Sequence, residues 1–156
     1  MQTLIVYVGK TGSTEKCAKI LAEKLTNVTL IDLTKEIIKP DQYDLIVVGS
    51  SIRMGMIHRQ VRKFIKQNMT LLKSKQMAYY LCCGFTDNYQ SYFTNNFSRE
   101  LLNSAITYDT FGGAMDITQQ KGFDKLVVKL VSKTKDGKKE VKILEENIDK
   151  FIKKLK

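Results

Sequence analysis

The sequence predicts a three-layer α/β fold, in which helices cover both faces of a five-stranded parallel sheet. The main evidence is three short apolar runs, within residues 4–8, 44–51 and 76–85, which are typical of strands buried on both faces. Apolar residues recur at helical spacing after each run. Strands that alternate with helices form right-handed crossovers around a parallel sheet. In such a sheet, ligands bind beyond the carboxyl ends of the strands.

Length and composition are those of a globular chain. Its 156 residues, 43% hydrophobic and 27% charged, are expected to form a single domain over residues 1–156 with one core. No apolar run approaches the roughly 18 residues that span a bilayer, and Met1-Gln2 leads directly into a strand, so we expect a cytoplasmic location. Cys17, Cys82 and Cys83 lack zinc-type spacing and are expected to be reduced, buried thiols, so no metal site is predicted.

The first strand, Leu4–Val8, leads through a short polar loop into the first helix. The N–H groups in the first turn of a helix have no partner within the helix and lie at the positive end of its dipole, so this loop is suited to hold a phosphate. Thr11, Ser13 and Thr14 add hydroxyl donors, and Gly12 allows close approach of the backbone. The loop lacks the patterns of dinucleotide and triphosphate sites. The alternative is that its hydroxyls only cap the helix.

This loop resembles the FMN-phosphate loop of flavodoxins, whose pattern is Thr/Ser-x-Thr-Gly-x-Thr. The corresponding residues are Gly9, Lys10, Thr11, Gly12, Ser13 and Thr14. The resemblance implies a flavodoxin-like fold with strand order 2-1-3-4-5 and non-covalent binding of FMN. Because Gly9 stands where the family has Ser or Thr, one phosphate-facing hydroxyl is missing.

A second strand is predicted at Val28–Asp32, followed by a turn at Pro40 and a third strand at Asp44–Ser51. The segment Gly49–His58 ends that strand and begins the next loop. It resembles the same loop in menaquinone-dependent protoporphyrinogen dehydrogenases, which are flavodoxin-like enzymes of haem synthesis. This is the most discriminating motif of the chain.

In flavodoxins, the loop after the third strand contacts the flavin ring. The resemblance therefore implies a cofactor role for Ser51, Ile52, Arg53, Met54 and Gly55. The Arg53 guanidinium is suited to pair with a carboxylate or phosphate, or to stabilise a reduced flavin; the alternative is an ordinary surface arginine. His58, the single histidine of the chain, is a candidate proton donor. It equally fits a helix cap.

The fourth strand, Gln76–Phe85, precedes a loop that corresponds to the second flavin loop of flavodoxins. That loop carries Gly, Asp and a stacking Tyr in the family, which loosely match Gly84, Asp87 and Tyr89, with Phe85 or Tyr92 as further stacking candidates. A stacked aromatic ring would add contact energy and shift the flavin potential. Alternatively, the aromatic residues anchor the next helix in the core, because Phe93, Phe97 and Leu101 recur at spacing four.

The last part of the chain differs from a short flavodoxin. A fifth strand at Ile106–Ile117 is interrupted at Gly112-Gly113. A basic amphipathic segment is inserted at about 118–140, and the final helix carries Leu144, Ile148, Phe151, Ile152 and Leu155 on its apolar face. The dehydrogenases have a comparable insert, which suggests peripheral contact with the membrane surface. The alternative is a helix that simply covers the sheet.

The net charge of +10 comes from 26 basic and 16 acidic residues, and no acid lies between Asp44 and Asp87. Such a surface attracts anions, although solvated lysine faces are also common. The resemblance implies an FMN-dependent oxidoreductase that oxidises an anionic substrate, protoporphyrinogen IX, and passes electrons to a quinone or a redox partner protein. The alternatives are an electron-transfer flavodoxin without its own substrate pocket and a flavin-free binding module. Nucleic acid is not expected as a partner.

Overall fold

A computed structural model of the chain describes residues 1–9, 12–84, 87, 89–113 and 142–156. The elements, in order, are β1 (Thr3–Val8), α1 (Ser13–Lys24), β2 (Val28–Asp32), β3 (Leu45–Arg53), β4 (Met56–Ile57), α2 (Arg59–Leu72), β5 (Gln76–Cys82), α3 (Tyr89–Asn96), α4 (Arg99–Ser104), β6 (Thr107–Thr110) and α5 (Glu145–Leu155). All six residues of β1 are buried, as expected for a strand covered on both faces.

The main sheet is parallel, with strand order β2-β1-β3-β5-β6. Counted without β4, this is the predicted order 2-1-3-4-5, so the prediction of a flavodoxin-like sheet is confirmed. The additional strand β4 pairs antiparallel with the end of β3 and forms a tight hairpin. That hairpin was not predicted.

Two core clusters lie on opposite faces of the sheet and create the three layers. Alternate residues of β1 enter different clusters: Leu4, Val6 and Val8 pack with α2, α3 and α4, whereas Ile5 and Tyr7 pack with α1 and α5. The aromatic residues Phe93 and Phe97 are buried in the first cluster, so they are core residues, as the alternative interpretation had it. The predicted apolar face of the last helix is confirmed by its buried residues, Ile148, Phe151, Ile152 and Leu155.

The end of the sheet differs from the prediction. Regular pairing of β6 stops at Thr110, because Gly112 and Gly113 have φ values of 67° and 142°, outside the range of a strand. Gly112 instead forms an isolated antiparallel bridge with Ile143. Residues 114–117 of the predicted strand and the insert at about 118–140 lie outside the described residues. Within the described ranges, no helix is long and apolar enough to cross a bilayer.

Candidate functional site

Three loops leave the carboxyl edge of the sheet side by side. Val8 at the end of β1 pairs with Ser50 of β3, and Ser50 pairs with Leu81 of β5. The loops that follow these strands therefore start from one line, as predicted for a ligand site at a topological switch point. A fourth segment joins them, since a Cβ placed on Gly113 would lie 3.2 Å from the Ser13 Cβ. Sequence analysis did not assign Gly113 to the site.

The loop after β1 presents the N-terminus of α1. Gly12 is the N-cap residue, with a left-handed conformation (φ 84°), and it makes no side-chain cap. The first intrahelical bond is donated by the Lys16 N–H to the Gly12 carbonyl oxygen at 3.0 Å. Ser13 and Thr14 lie within the first turn, so neither is the N-cap residue of α1. The N–H groups of this turn can donate hydrogen bonds to an anion, because the helix itself supplies no acceptor for them.

The Thr14 hydroxyl is the most informative polar group of this loop. Its Oγ1 atom is buried and has no hydrogen-bond partner among the described residues. The Cys82 thiol lies beside it and its interaction with this hydroxyl lowers the pKa of Cys82, but sulfur is a weak hydrogen-bond partner and does not replace an oxygen or nitrogen atom. Buried polar atoms are nearly always paired, so an orphaned hydroxyl at a helix N-terminus indicates a ligand that accepts or donates a hydrogen bond there.

The Thr14 side chain fills the space that a side chain at position 9 would need. A Cβ placed on Gly9 would lie 2.5 Å from the Thr14 Cβ and would collide with its Oγ1. The flavodoxin pattern has a hydroxyl residue at both positions, whereas in this structure the Thr14 side chain fills the space next to position 9. Glycine at position 9 is required by this packing.

The side chain of Tyr80, on β5, supports the first turn of α1. Its hydroxyl donates a 3.0 Å hydrogen bond to the Thr14 carbonyl oxygen, and its ring stacks on Phe111 at 4.8 Å. Burial raises the pKa of Tyr80 well above its ordinary value, so the phenol remains a donor. Gly49 of β3 makes room for the ring, because a Cβ there would overlap it.

All three cysteines are buried, as predicted, and none of them forms a disulfide bond. The sulfur atoms of Cys17 and Cys82 are 3.7 Å apart, beneath the loop. The hydrogen bond with Cys17 and then burial raise the pKa of Cys82 well above its usual range. Cys82 is therefore a protonated packing residue and not a reactive thiolate. Among the described residues, no group of side chains could hold a metal ion.

The second loop is a tight hairpin. Arg53 pairs with Met56, and the turn residues Met54 and Gly55 have φ values of 52° and 76°. Both values are positive, as a two-residue hairpin turn requires. Arg53, Met54 and Met56 are exposed at the tip, and Met54 is 72% exposed.

Asn96, at the end of α3, holds this hairpin in place. Its Oδ1 accepts the Ile57 N–H at 3.0 Å, and its Nδ2 donates to the Gly55 and Tyr92 carbonyl oxygens, both at 2.8 Å. One amide thus connects the hairpin to the helix that follows the third loop. Sequence analysis did not identify Asn96, because no local pattern marks a contact across 41 residues of chain.

His58 is the N-cap residue of α2. Its Nδ1 accepts the Gln60 N–H at 3.1 Å, and its backbone N–H donates to the Ser50 hydroxyl at 2.9 Å. The capping alternative is thus what the structure shows. An Nδ1 that accepts a hydrogen bond carries no proton, so neutral His58 has its proton on Nε2.

The third loop is described only in part. Lys10, Thr11 and Phe85 lie outside the described residues, whereas Gly84 is half-buried and Asp87 is exposed. Tyr89 begins α3, packs edge-on against Phe93 at 6.4 Å and accepts a hydrogen bond from the Gln90 side chain at 2.9 Å. Burial raises the pKa of nearby Tyr92.

The described site agrees with what is known of other sequences. The flavodoxin domain family matches residues 4–142, which is most of the chain. The chain belongs to the flavodoxin domain family. A curated relative of this flavodoxin-domain protein, protoporphyrinogen IX dehydrogenase [quinone] of Escherichia coli K12, is 28% identical in an alignment 148 residues long that covers 88% of this chain and 82% of the relative.

Two solved structures share the fold of this flavodoxin-domain protein. A flavoprotein in complex with FMN from Lactobacillus acidophilus superposes with a TM-score of 0.56 at 17% identity, over 70% of this chain and 92% of that one. Reduced flavodoxin from Megasphaera elsdenii superposes with a TM-score of 0.50 at 16% identity, over 70% and 85% of the two chains. These likenesses establish the fold.

Proposed function

We propose that this flavodoxin-domain protein binds FMN at the carboxyl edge of the sheet and uses it in an oxidoreductase reaction. The buried, unpaired hydroxyl of Thr14 carries this proposal, because a phosphate at the first turn of α1 would supply its missing partner. The first-turn N–H groups, which have no acceptor within the helix, would bind further phosphate oxygens. Gly113 closes the other side of the loop without a side chain that would compete for the space.

The flavin ring is proposed to lie between the hairpin and the loop after β5. Ser51, Ile52, Arg53, Met54 and Gly55 border it on one side, and Gly84, Phe85, Asp87 and Tyr89 border it on the other. In flavodoxins this loop usually presents an aromatic residue to the flavin ring, and here the candidates for that contact are Ile52, Met54 and Met56. A thioether can pack on a ring face. FMN supplies the two-electron redox chemistry that the side chains lack. The chain binds it, orients it and, through Arg53, places a positive charge beside it.

The substrate we propose is protoporphyrinogen IX, with a quinone as electron acceptor. The similarity to the Escherichia coli enzyme supports it, and so does the charge beside the hairpin. Arg53, Arg59 and Arg62 are exposed there, in a stretch of chain without any acid. Guanidinium groups bind carboxylates through paired hydrogen bonds, so they suit the propionates of a porphyrinogen. His58 can donate the proton on Nε2 while its Nδ1 caps α2.

The test is anaerobic reduction of the FMN-loaded protein by protoporphyrinogen IX, followed by addition of a menaquinone analogue. We expect loss of flavin absorbance with the tetrapyrrole and its recovery with the quinone. Arg53→Ala should slow the first step, whereas Lys19→Ala, on α1 and paired with Glu15, should not. Flavin that is reduced by dithionite but not by protoporphyrinogen would instead indicate an electron-transfer flavodoxin.

A further inference from the structure

A buried threonine ends β6, close to the loops of the proposed FMN site. Thr110 is the last residue of that strand and is only 2% exposed. Its neighbour across the sheet is Leu81 of β5. Burial of a hydroxyl costs free energy unless the hydroxyl forms hydrogen bonds. The partners of the Thr110 hydroxyl therefore show what this residue holds in place.

The Thr110 hydroxyl joins the end of β5 to the segment that leaves β6. It donates its proton to the Leu81 carbonyl oxygen at 3.1 Å and accepts the Gly112 N–H at 3.4 Å. The Cys83 sulfur lies 3.4 Å from the same oxygen atom. A hydroxyl has one donor and two acceptor sites, so this arrangement uses all of them when the Cys83 thiol is the second donor.

Gly112 and Gly113 form the segment that leaves β6, and backbone hydrogen bonds hold it on both sides. The Gly112 carbonyl oxygen accepts the Cys83 N–H at 3.0 Å. The Gly113 N–H donates to the Lys142 carbonyl oxygen at 3.1 Å. Within the part of the chain that the structure describes, the Gly112 N–H has the Thr110 hydroxyl as its only acceptor. Loss of that hydroxyl would therefore leave one bond of this segment unmade.

This segment reaches the proposed phosphate site through Gly113. A Cβ placed on Gly113 would lie 3.2 Å from the Cβ of Ser13 and 3.3 Å from its Oγ. Ser13 is the first residue of α1, at the turn where we propose that the FMN phosphate binds. A displacement of Gly113 would therefore change the space available to the phosphate.

We propose that Thr110 is a positioning residue of the phosphate site. Its hydroxyl holds Gly112 and Gly113 so that Gly113 lies against the first turn of α1. The hydrogen-bonding sites of this hydroxyl are used within the protein, so Thr110 acts through the glycine segment and not by contact with FMN. The inference rests on the proposed function, because it concerns the FMN phosphate.

The test compares the affinities of the full chain for FMN and for riboflavin, which lacks the phosphate, in flavin fluorescence titrations. We expect the wild type to bind FMN more tightly than riboflavin. Thr110→Val keeps the shape of the side chain and removes the hydroxyl. It should weaken FMN binding about three- to tenfold and leave riboflavin binding nearly unchanged. Thr110→Ser retains the hydroxyl and should restore most of the preference for FMN.

Three further variants separate this role from a general loss of stability. Thr107→Val alters a buried threonine at the other end of β6 and should leave the preference for FMN unchanged. Cys83→Ala removes the thiol partner alone and should affect the two flavins equally. Asn147→Ala removes the 2.9 Å hydrogen bond that its Nδ2 donates to the Thr110 carbonyl oxygen. It should lower the preference for FMN, and it tests the inference even if Thr110→Val does not fold.

A second measurement needs no flavin. In NMR spectra of the FMN-free chain, Thr110→Val should shift the amide resonances of Gly112, Gly113 and Ser13, and Thr107→Val should not shift them. Equal losses of FMN and riboflavin affinity in Thr110→Val, or an unchanged Ser13 resonance, would overturn the inference and leave the FMN site standing. A wild type that binds the two flavins equally would instead contradict the proposed phosphate site itself.

Discussion

The packing of Gly9 against Thr14 gives the sharpest prediction. In Gly9→Ala, the new Cβ would lie 2.5 Å from the Thr14 Cβ, whereas carbon atoms in contact are about 3.5–4.0 Å apart. The clash is with the β-carbon of a helical residue and not with the end of a flexible side chain, so the first turn of α1 must move. Overpacking of this kind costs about 1–3 kcal/mol.

The destabilisation by this clash exceeds the stabilisation that alanine brings by restricting the unfolded chain. Replacing glycine by alanine restricts the unfolded chain and stabilises a protein by about 0.4–1 kcal/mol where the new residue fits. We therefore expect a net loss of stability in urea unfolding. FMN affinity should fall as well, because the displaced Thr14 hydroxyl loses its bond to a charged phosphate. Such a bond contributes about 1.5–3 kcal/mol, which corresponds to a roughly 10- to 150-fold weaker Kd in flavin fluorescence titration.

A double-mutant cycle separates this clash from other effects. In a Thr14→Gly background the nearest atom of residue 14 is its Cα at 3.6 Å, an ordinary contact, so Gly9→Ala should no longer destabilise the protein. A Thr14→Ala background retains the Cβ and should retain the full penalty. Gly9→Ala with unchanged stability and unchanged FMN affinity would refute the reasoning.

Three further perturbations follow from the structure. Asn96→Ala removes the hydrogen bonds that hold the hairpin, so it should cost about 1–3 kcal/mol in urea unfolding and weaken FMN binding; Asn95→Ala, at an exposed neighbour, should do neither. Tyr80→Phe removes a buried hydrogen bond and should cost about 1 kcal/mol, whereas Tyr79→Phe, which removes a buried hydroxyl without a partner among the described residues, should be neutral or stabilising. Burial raises the pKa of Asp109 above its ordinary 3.8. The wild-type protein therefore loses stability as the pH rises from the ordinary pKa of an aspartate to the raised pKa of Asp109 in the folded state. The variant Asp109→Asn should have a higher Tm than the wild type at neutral pH but not in acid. Equal effects within either pair, or no pH dependence of the Asp109 effect, would contradict these assignments.

The sheet was predictable because its evidence is local. Strands buried on both faces must be apolar at every position, so Leu4–Val8 and the run ending at Val48 could not be confused with loops. The bounds of β2, Val28–Asp32, also agree with the prediction, although this edge strand is only partly buried. The hairpin was missed because its turn is Met54-Gly55, and a methionine with positive φ is uncommon and gives no turn signal.

The site was predictable in its position but not in its contacts. The pattern of hydroxyl and glycine residues locates the phosphate loop. It does not give distances between atoms, so the close approach of the Thr14 side chain to Gly9 could not be predicted. The support from Asn96 and Tyr80 depends on residues that tertiary packing brings together. His58 was ambiguous because histidine is not among the preferred N-cap residues.

The account depends most directly on the anion site at the start of α1. A crystal structure of the chain grown with FMN tests it in one measurement. We predict the phosphate at the first turn of the helix, within hydrogen-bond distance of the Thr14 Oγ1, and the ring beside the Arg53–Met56 hairpin. A phosphate bound elsewhere, or crystals without FMN in which the Thr14 hydroxyl has found a protein partner, would contradict the account.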